Sequence, residues 1–141
     1  MPISRVLVLI GALVLMAGGM RAQQPAQSTG AGAGNVEHGR YLVERVVMCY
    51  ECHSTRDAQG NIIAATRFHG GPMPVRPPWP SDWPQQIPRI AGLPGYTDAE
   101  AIRLLTQGAI KRDGTQLRYP MPRFRMTPQD AADVIAYLRT L

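Results

Sequence analysis

The chain has 141 residues, with 15 Lys and Arg against 10 Asp and Glu, and a formal net charge of +5. This length suits one domain of ordinary size and not comfortably two. So small a basic excess, with only 6% aromatic residues, does not suggest nucleic acid as a partner.

The N-terminus comes first. Met1 to Arg5 carries one positive charge, Val6 to Gly19 is almost purely apolar, and small residues follow at Gly18, Gly19 and Ala22. That order reads as a secretory signal peptide over residues 1–22, cut after Ala22. The apolar run, about 14 residues, falls short of the roughly 20 that span a bilayer. The alternative is an uncleaved anchor, the one route by which this sequence would hold a membrane. Cleavage would remove Arg5 and Arg21, taking the charge from +5 to +3. Gln23 to Gly34 is built of small and polar residues and reads as a flexible linker, so the folded domain is expected over 35–141.

Asn35 is placed to cap a first helix, with Glu37 in its first turn. Val36, Tyr41, Leu42, Val43, Val46 and Val47 supply its apolar face, and the helix is expected to run into Cys49. Ser54 to Tyr96 has no helical pattern. Eight of the 13 prolines fall between Pro72 and Pro94, with Trp79 and Trp83 among them, so strands are not expected there. A loop of about forty residues fits a compact domain only if it wraps a large rigid object. Thr97 and Glu100 have capping-box spacing for a second helix, which Ile102, Leu104 and Leu105 make amphipathic and Gly108 ends. Thr127 caps a third helix with Pro128 in its first position, and Ala131, Val134, Ile135 and Leu138 recur at helical spacing. Met126 is placed to pack on Ala131 as a staple.

Cys49-Tyr50-Glu51-Cys52-His53 is C-x-x-C-H, the attachment sequence of c-type haem. Two thiols must reach the two vinyl groups on one porphyrin edge, and the next residue must bring an imidazole under the iron. A short turn after a helix presents all three. Such attachment happens outside the cytoplasm, which agrees with the export signal and a periplasmic location. A disulfide at this spacing would be small and strained. A thioredoxin-like pair would want a preceding strand, and a zinc site would need further ligands, with His38 and His69 the histidines left over.

Around this motif the chain resembles the single-haem, class I-like cytochrome c family, from about Glu37 to Leu141. Gly39-Arg40-Tyr41-Leu42 before the motif is similar to the family's first helix. Tyr119-Pro120-Met121-Pro122, then Met126-Thr127-Pro128-Gln129-Asp130 and Ala136-Tyr137-Leu138-Arg139, are similar to its closing segment. The likeness is strongest to cytochrome domains that accompany periplasmic dehydrogenases. It implies an all-α, cytochrome c-like fold: three main helices around one covalently bound haem, with a long proline-rich loop. It also implies that the first and last helices cross with Gly39 meeting Tyr137.

The iron's second ligand is open to several residues. Beyond the signal segment the methionines are Met48, Met73, Met121 and Met126. Met48 adjoins the motif, and Met126 has its staple role. Met121 sits in Pro-Met-Pro, which holds a sulfur with little entropy to lose. Met73 sits in its own Pro-Met-Pro. The resemblance points to Met121. His38 and His69 are candidates for a bis-His site, but His38 is expected to face solvent, and His69 to line the haem pocket or bond a propionate. The other ring nitrogen of His53 is expected to be held by a carbonyl in the Gly70-Gly71-Pro72 turn. Trp79 and Trp83 are read as packing on the porphyrin, bonding a propionate through the indole N–H, or simply packing within the loop.

The cofactor-binding set is thus Cys49, Cys52, His53 and Met121, with His53 and Met121 on the metal. The function expected is electron carrying in the periplasm, with no catalytic constellation of its own and redox proteins such as a dehydrogenase or terminal oxidase as partners. Arg118, Arg123 and Arg125 flank Met121 and are placed to guide docking. The alternative is a haem-based sensor or peroxidase-like protein with an open sixth position.

Overall fold

In the computed structural model the described residues are 33–141; the expected signal segment and residues 23–32 lie outside them. Helix α1 covers Val36–Tyr41, and the Asn35 side chain accepts the His38 N–H at 3.1 Å. The chain then widens into a π turn over Leu42–Val46, closed by Val47 N–H to Leu42 O at 2.8 Å. The helix was expected to continue into Cys49 and does not. Met48 takes a left-handed conformation (φ 52°), and a new 3₁₀ turn begins at Cys49–Glu51. The widened turn and the positive φ together redirect the backbone, since a residue in the left-handed conformation cannot continue a right-handed helix.

The later helices follow their caps. Helix α2, Asp98–Thr106, starts on a complete Thr97/Glu100 capping box and is followed by Gly108 at φ 81°. Helix α3, Pro128–Arg139, starts on Thr127, whose hydroxyl accepts the Asp130 N–H. Strands β1 (Gly71–Pro72) and β2 (Gln86–Ile87) pair antiparallel, Gly71 opposite Ile87. No strand was expected in this loop. Two residues suffice because Pro72 lies at the edge of the pair, where a missing N–H breaks no ladder.

Val43, Phe68, Leu105, Val134, Ile135, Tyr137 and Leu138 form one buried cluster that joins the π turn, α2 and α3 to the loop. At its centre α1 crosses α3. Gly39 is buried there, and a Cβ on it would fall 1.9 Å from Asp133 O and 3.0 Å from Tyr137 Cβ. Gly34, just ahead of the cap, also lies against α3, where a Cβ would fall 2.3 Å from Ala132 O. Asp133 ties the crossing together: its carboxylate accepts from Asn35 N–H (2.7 Å), Gln129 Nε2 (2.7 Å) and His38 Nδ1 (2.7 Å). His38 therefore stays partly in solvent, as expected, with one ring nitrogen held against α3. Nearby, the Tyr137 hydroxyl donates to Glu44. Burial first, and Glu44 second, push the Tyr137 hydroxyl's pKa up to about 12.

Gly39→Ala would gain about 1 kcal/mol of helix propensity in an open site. Here the overlap with the Asp133 carbonyl decides the sign. We expect a net loss of about 1–3 kcal/mol from overpacking, read as a lower thermal midpoint. A second expectation concerns acid. Burial would raise the Asp133 pKa, but the bonds from Asn35, His38 and Gln129 outweigh it and hold the pKa below the usual carboxylate value. Its contribution is then complete above about pH 4 and lost as pH falls further. Asp133→Asn should lower stability at neutral pH and flatten the decline of the thermal midpoint below about pH 4.

Candidate functional site

An apolar cavity of about 550 Å³ lies between the motif, the 84–90 stretch, α2, the 117–126 segment and α3. Leu93, Ala101, Leu104, Leu105, Leu117, Phe124, Val134, Ile135 and Leu138 are among the residues of its apolar wall. Its size is that of a small-molecule site. Cys49, Cys52, His53 and Met121 all lie on its wall.

The motif turn presents the first three. Cys52 N–H and His53 N–H both donate to Cys49 O, at 3.3 and 3.0 Å, which curls the five residues onto one side. Both cysteines are unpaired and half-buried. Burial pushes the Cys49 thiol's pKa up to about 11, so it stays neutral at physiological pH.

His53 is 7% exposed, and its Nδ1 lies 2.8 Å from Pro88 O. A carbonyl only accepts, so Nδ1 carries the proton and Nε2 keeps the lone pair that a metal requires. Burial lowers the ring's pKa, with the Pro88 bond acting in the opposite direction. The carbonyl was expected in Gly70-Gly71-Pro72, and that assignment is corrected to Pro88. The glycine turn has a different part. Gly70 N–H donates to His53 O at 2.9 Å, and Gly70 backs directly onto Ile87 and Pro88, where a Cβ would meet Ile87 O at 2.3 Å.

Of the methionines, Met48, Met121 and Met126 line the cavity and Met73 does not. Met73 is buried, with its backbone N–H on Gln85 O at 2.9 Å. Met126 packs on the core beside the start of α3, and its N–H donates to Leu105 O. His69 is exposed, its Nδ1 on Arg67 O, and so is not a pocket residue as expected. His38, Trp79 and Trp83 are also off the wall, and Trp79 is 63% exposed. A bis-His arrangement and tryptophan packing on a cofactor both lose their geometry.

The polar side chains on the wall are few: Gln86, Arg89, Tyr96, Lys111 and Arg118. Of these, only Arg118 stood out in the sequence, from its place beside Met121. Gln86 and Arg89 carried no local signal beyond flanking Ile87 and Pro88. Haem fits this donor set. Its rigid apolar plane matches the aliphatic wall, its vinyl groups match two thiols, its iron matches His53 Nε2, and its carboxylates match the three cations. Zinc does not fit: among the described residues the candidate metal cluster is His38, Asp130 and Asp133, which excludes both cysteines.

The Cytochrome c family model matches residues 36–141. No curated protein matches the chain.

The glycine contact behind Pro88 gives a direct test. Gly70→Ala pays for a positive φ (77°) and also drives a methyl into the Ile87–Pro88 backbone. Gly60→Ala pays only for a similar φ (85°), since nothing lies within 4 Å of its Cβ. The difference in thermal midpoint should correspond to about 1–3 kcal/mol, with Gly70→Ala the weaker protein. The His53 proton should also exchange faster in Gly70→Ala by NMR.

Proposed function

The chain belongs to the cytochrome c family, and from that premise we propose that it is an exported electron carrier with one haem c, bonded through Cys49 and Cys52 and ligated by His53 and Met121. Family membership itself carries haem c binding and a haem-based electron-transfer role. The observation that supports the finer reading is the meeting of four residues, 72 positions apart from first to last, on one apolar cavity.

Bound haem supplies a one-electron Fe(III)/Fe(II) couple. The chain's residues do the rest. The two thiols anchor the group for good, so occupancy does not depend on reversible affinity. Pro88 holds the His53 ring in one tautomer and orientation. Met121 offers a thioether, which favours Fe(II) and raises the potential. Pro120 and Pro122 limit what its segment can do when the sulfur is released. The aliphatic wall keeps water from the couple, and Arg89, Lys111 and Arg118 are the cations available to the propionates.

The export signal at residues 1–22 supports a periplasmic location, free if the segment is cut and anchored if it is kept. Among the described residues no helix is long and apolar enough to cross a membrane. A dehydrogenase as electron donor, or a terminal oxidase as acceptor, fits the role. Such encounters are brief and use small interfaces.

Met121→Ala is the experiment. The native ferric protein should show the far-red band of sulfur bound to iron, and its ferrous form should not bind CO readily. The variant should lose the band, bind CO and fall in potential. An unchanged spectrum in the variant, with ready CO binding by the native protein, would instead favour a sensor or peroxidase-like protein with an open sixth position.

A further inference from the structure

Between β1 and β2 the chain leaves the body of the protein as a strap, residues 73–85. Its base is closed by the two-residue strand pair and by Met73 N–H on Gln85 O at 2.9 Å, with the Met73 side chain buried beneath. Beyond that base the strap is poorly held. Pro74, Pro77, Pro78, Pro80 and Pro84 have no N–H to donate, and Val75 and Trp79 are 59% and 63% exposed. Among the described residues, the hydrogen bond that joins 74–84 to the rest of the chain is Arg118 Nη1 to Asp82 O, 3.1 Å long and spanning 36 positions.

That bond has a particular place. Arg118 lines the cavity three residues before Met121, and Pro84 and Gln86 at the strap's base line it too. Two residues past Gln86, Pro88 holds His53. The strap and Arg118 therefore tie the wall that carries His53 to the segment that carries Met121. Within the chain itself no carboxylate of the described residues pairs with Arg118, and the Asp82 carbonyl is its hydrogen-bond partner, leaving its other N–H groups free for a propionate.

We propose that Arg118 is a positioning residue: by holding the strap to the Met121 segment it keeps the sixth iron position closed to outside ligands. The proposal rests on the His53/Met121 reading. A hydrogen bond at an exposed site is worth little in stability, so its effect should appear in ligand access. We expect about a three- to tenfold change, the size of one ordinary hydrogen bond. A purely decorative surface contact would change nothing at the iron.

The chain's 2 tryptophans, Trp79 and Trp83, are both in the strap. Their emission, quenched by haem according to distance, therefore reports the strap alone. In the holoprotein, Arg118→Met should raise tryptophan emission and tighten imidazole binding to the ferric form about three- to tenfold. A second variant, with residues 75–82 replaced by Gly-Ser-Gly, keeps Arg118 and its charge. It should tighten imidazole binding to the same extent, because the tie has lost its other end. Unchanged emission in Arg118→Met would overturn the proposal. So would native imidazole affinity in the strap replacement, since Arg118 would then act through its charge. Failure of the His/Met reading is separable: the native protein itself would lack the sulfur–iron band, whatever the variants' emission.

Discussion

A cavity of about 550 Å³ in so short a chain is the constraint that orders everything else. Its wall is mostly apolar, and apolar surface left against water forgoes about 25 cal/mol for each Å² that burial would gain. The walls make sense only as the lining of a rigid guest. Helices α2 and α3 and the proline-rich loop cannot close on one another here; each packs one face on its neighbours and turns another to the cavity, while α1 packs on α3 from outside it. A covalently held haem supplies the missing core, and the long loop, awkward by ordinary packing rules, becomes its cover.

From that constraint the geometry follows in sequence. The α1–α3 crossing, made possible by Gly39, sets a fixed frame. The π turn and the left-handed Met48 then redirect the chain so that Cys49, Cys52 and His53 face inward from the end of α1. The loop returns under His53, where the Pro88 carbonyl holds the ring and Gly70 packs behind the Ile87–Pro88 backbone. Across the cavity, the segment between α2 and α3 carries Met121. The two sides are independent pieces of chain, and under the proposed His53/Met121 ligation a tie between them matters.

Much of this was legible in the sequence because the chemistry is local. Thioether attachment needs two thiols and an imidazole within five consecutive residues, and helix caps need a side chain within three positions of its N–H. Thr97, Thr127 and Asn35 all cap where expected. The contact of Gly39 with Tyr137 was legible only through resemblance, since nothing in its neighbourhood announces a partner 98 positions away. What escaped is non-local or depends on small backbone choices. Pro88 reaches His53 across 35 residues, and His38 meets Asp133 across 95. The end of the first helix was misplaced because the apolar pattern continues through Val46 and Val47 while the backbone changes its turn. His69, and the tryptophans in their cofactor readings, were cofactor candidates by type alone; the loop's path leaves His69 and Trp79 exposed and Trp83 half-buried, all off the cavity wall.

The central claim is a covalent, His/Met-ligated haem that carries one electron. Potentiometric titration of the periplasmically expressed protein, with haem staining of the same sample after boiling in detergent, tests it most directly. The account predicts a stain that survives boiling and a single wave with the slope of about 59 mV per decade that one electron requires. Ferric sulfur–iron and ferrous haem bands should give the same midpoint. A stain lost on boiling, or a wave with no sulfur–iron band at any potential, would contradict it.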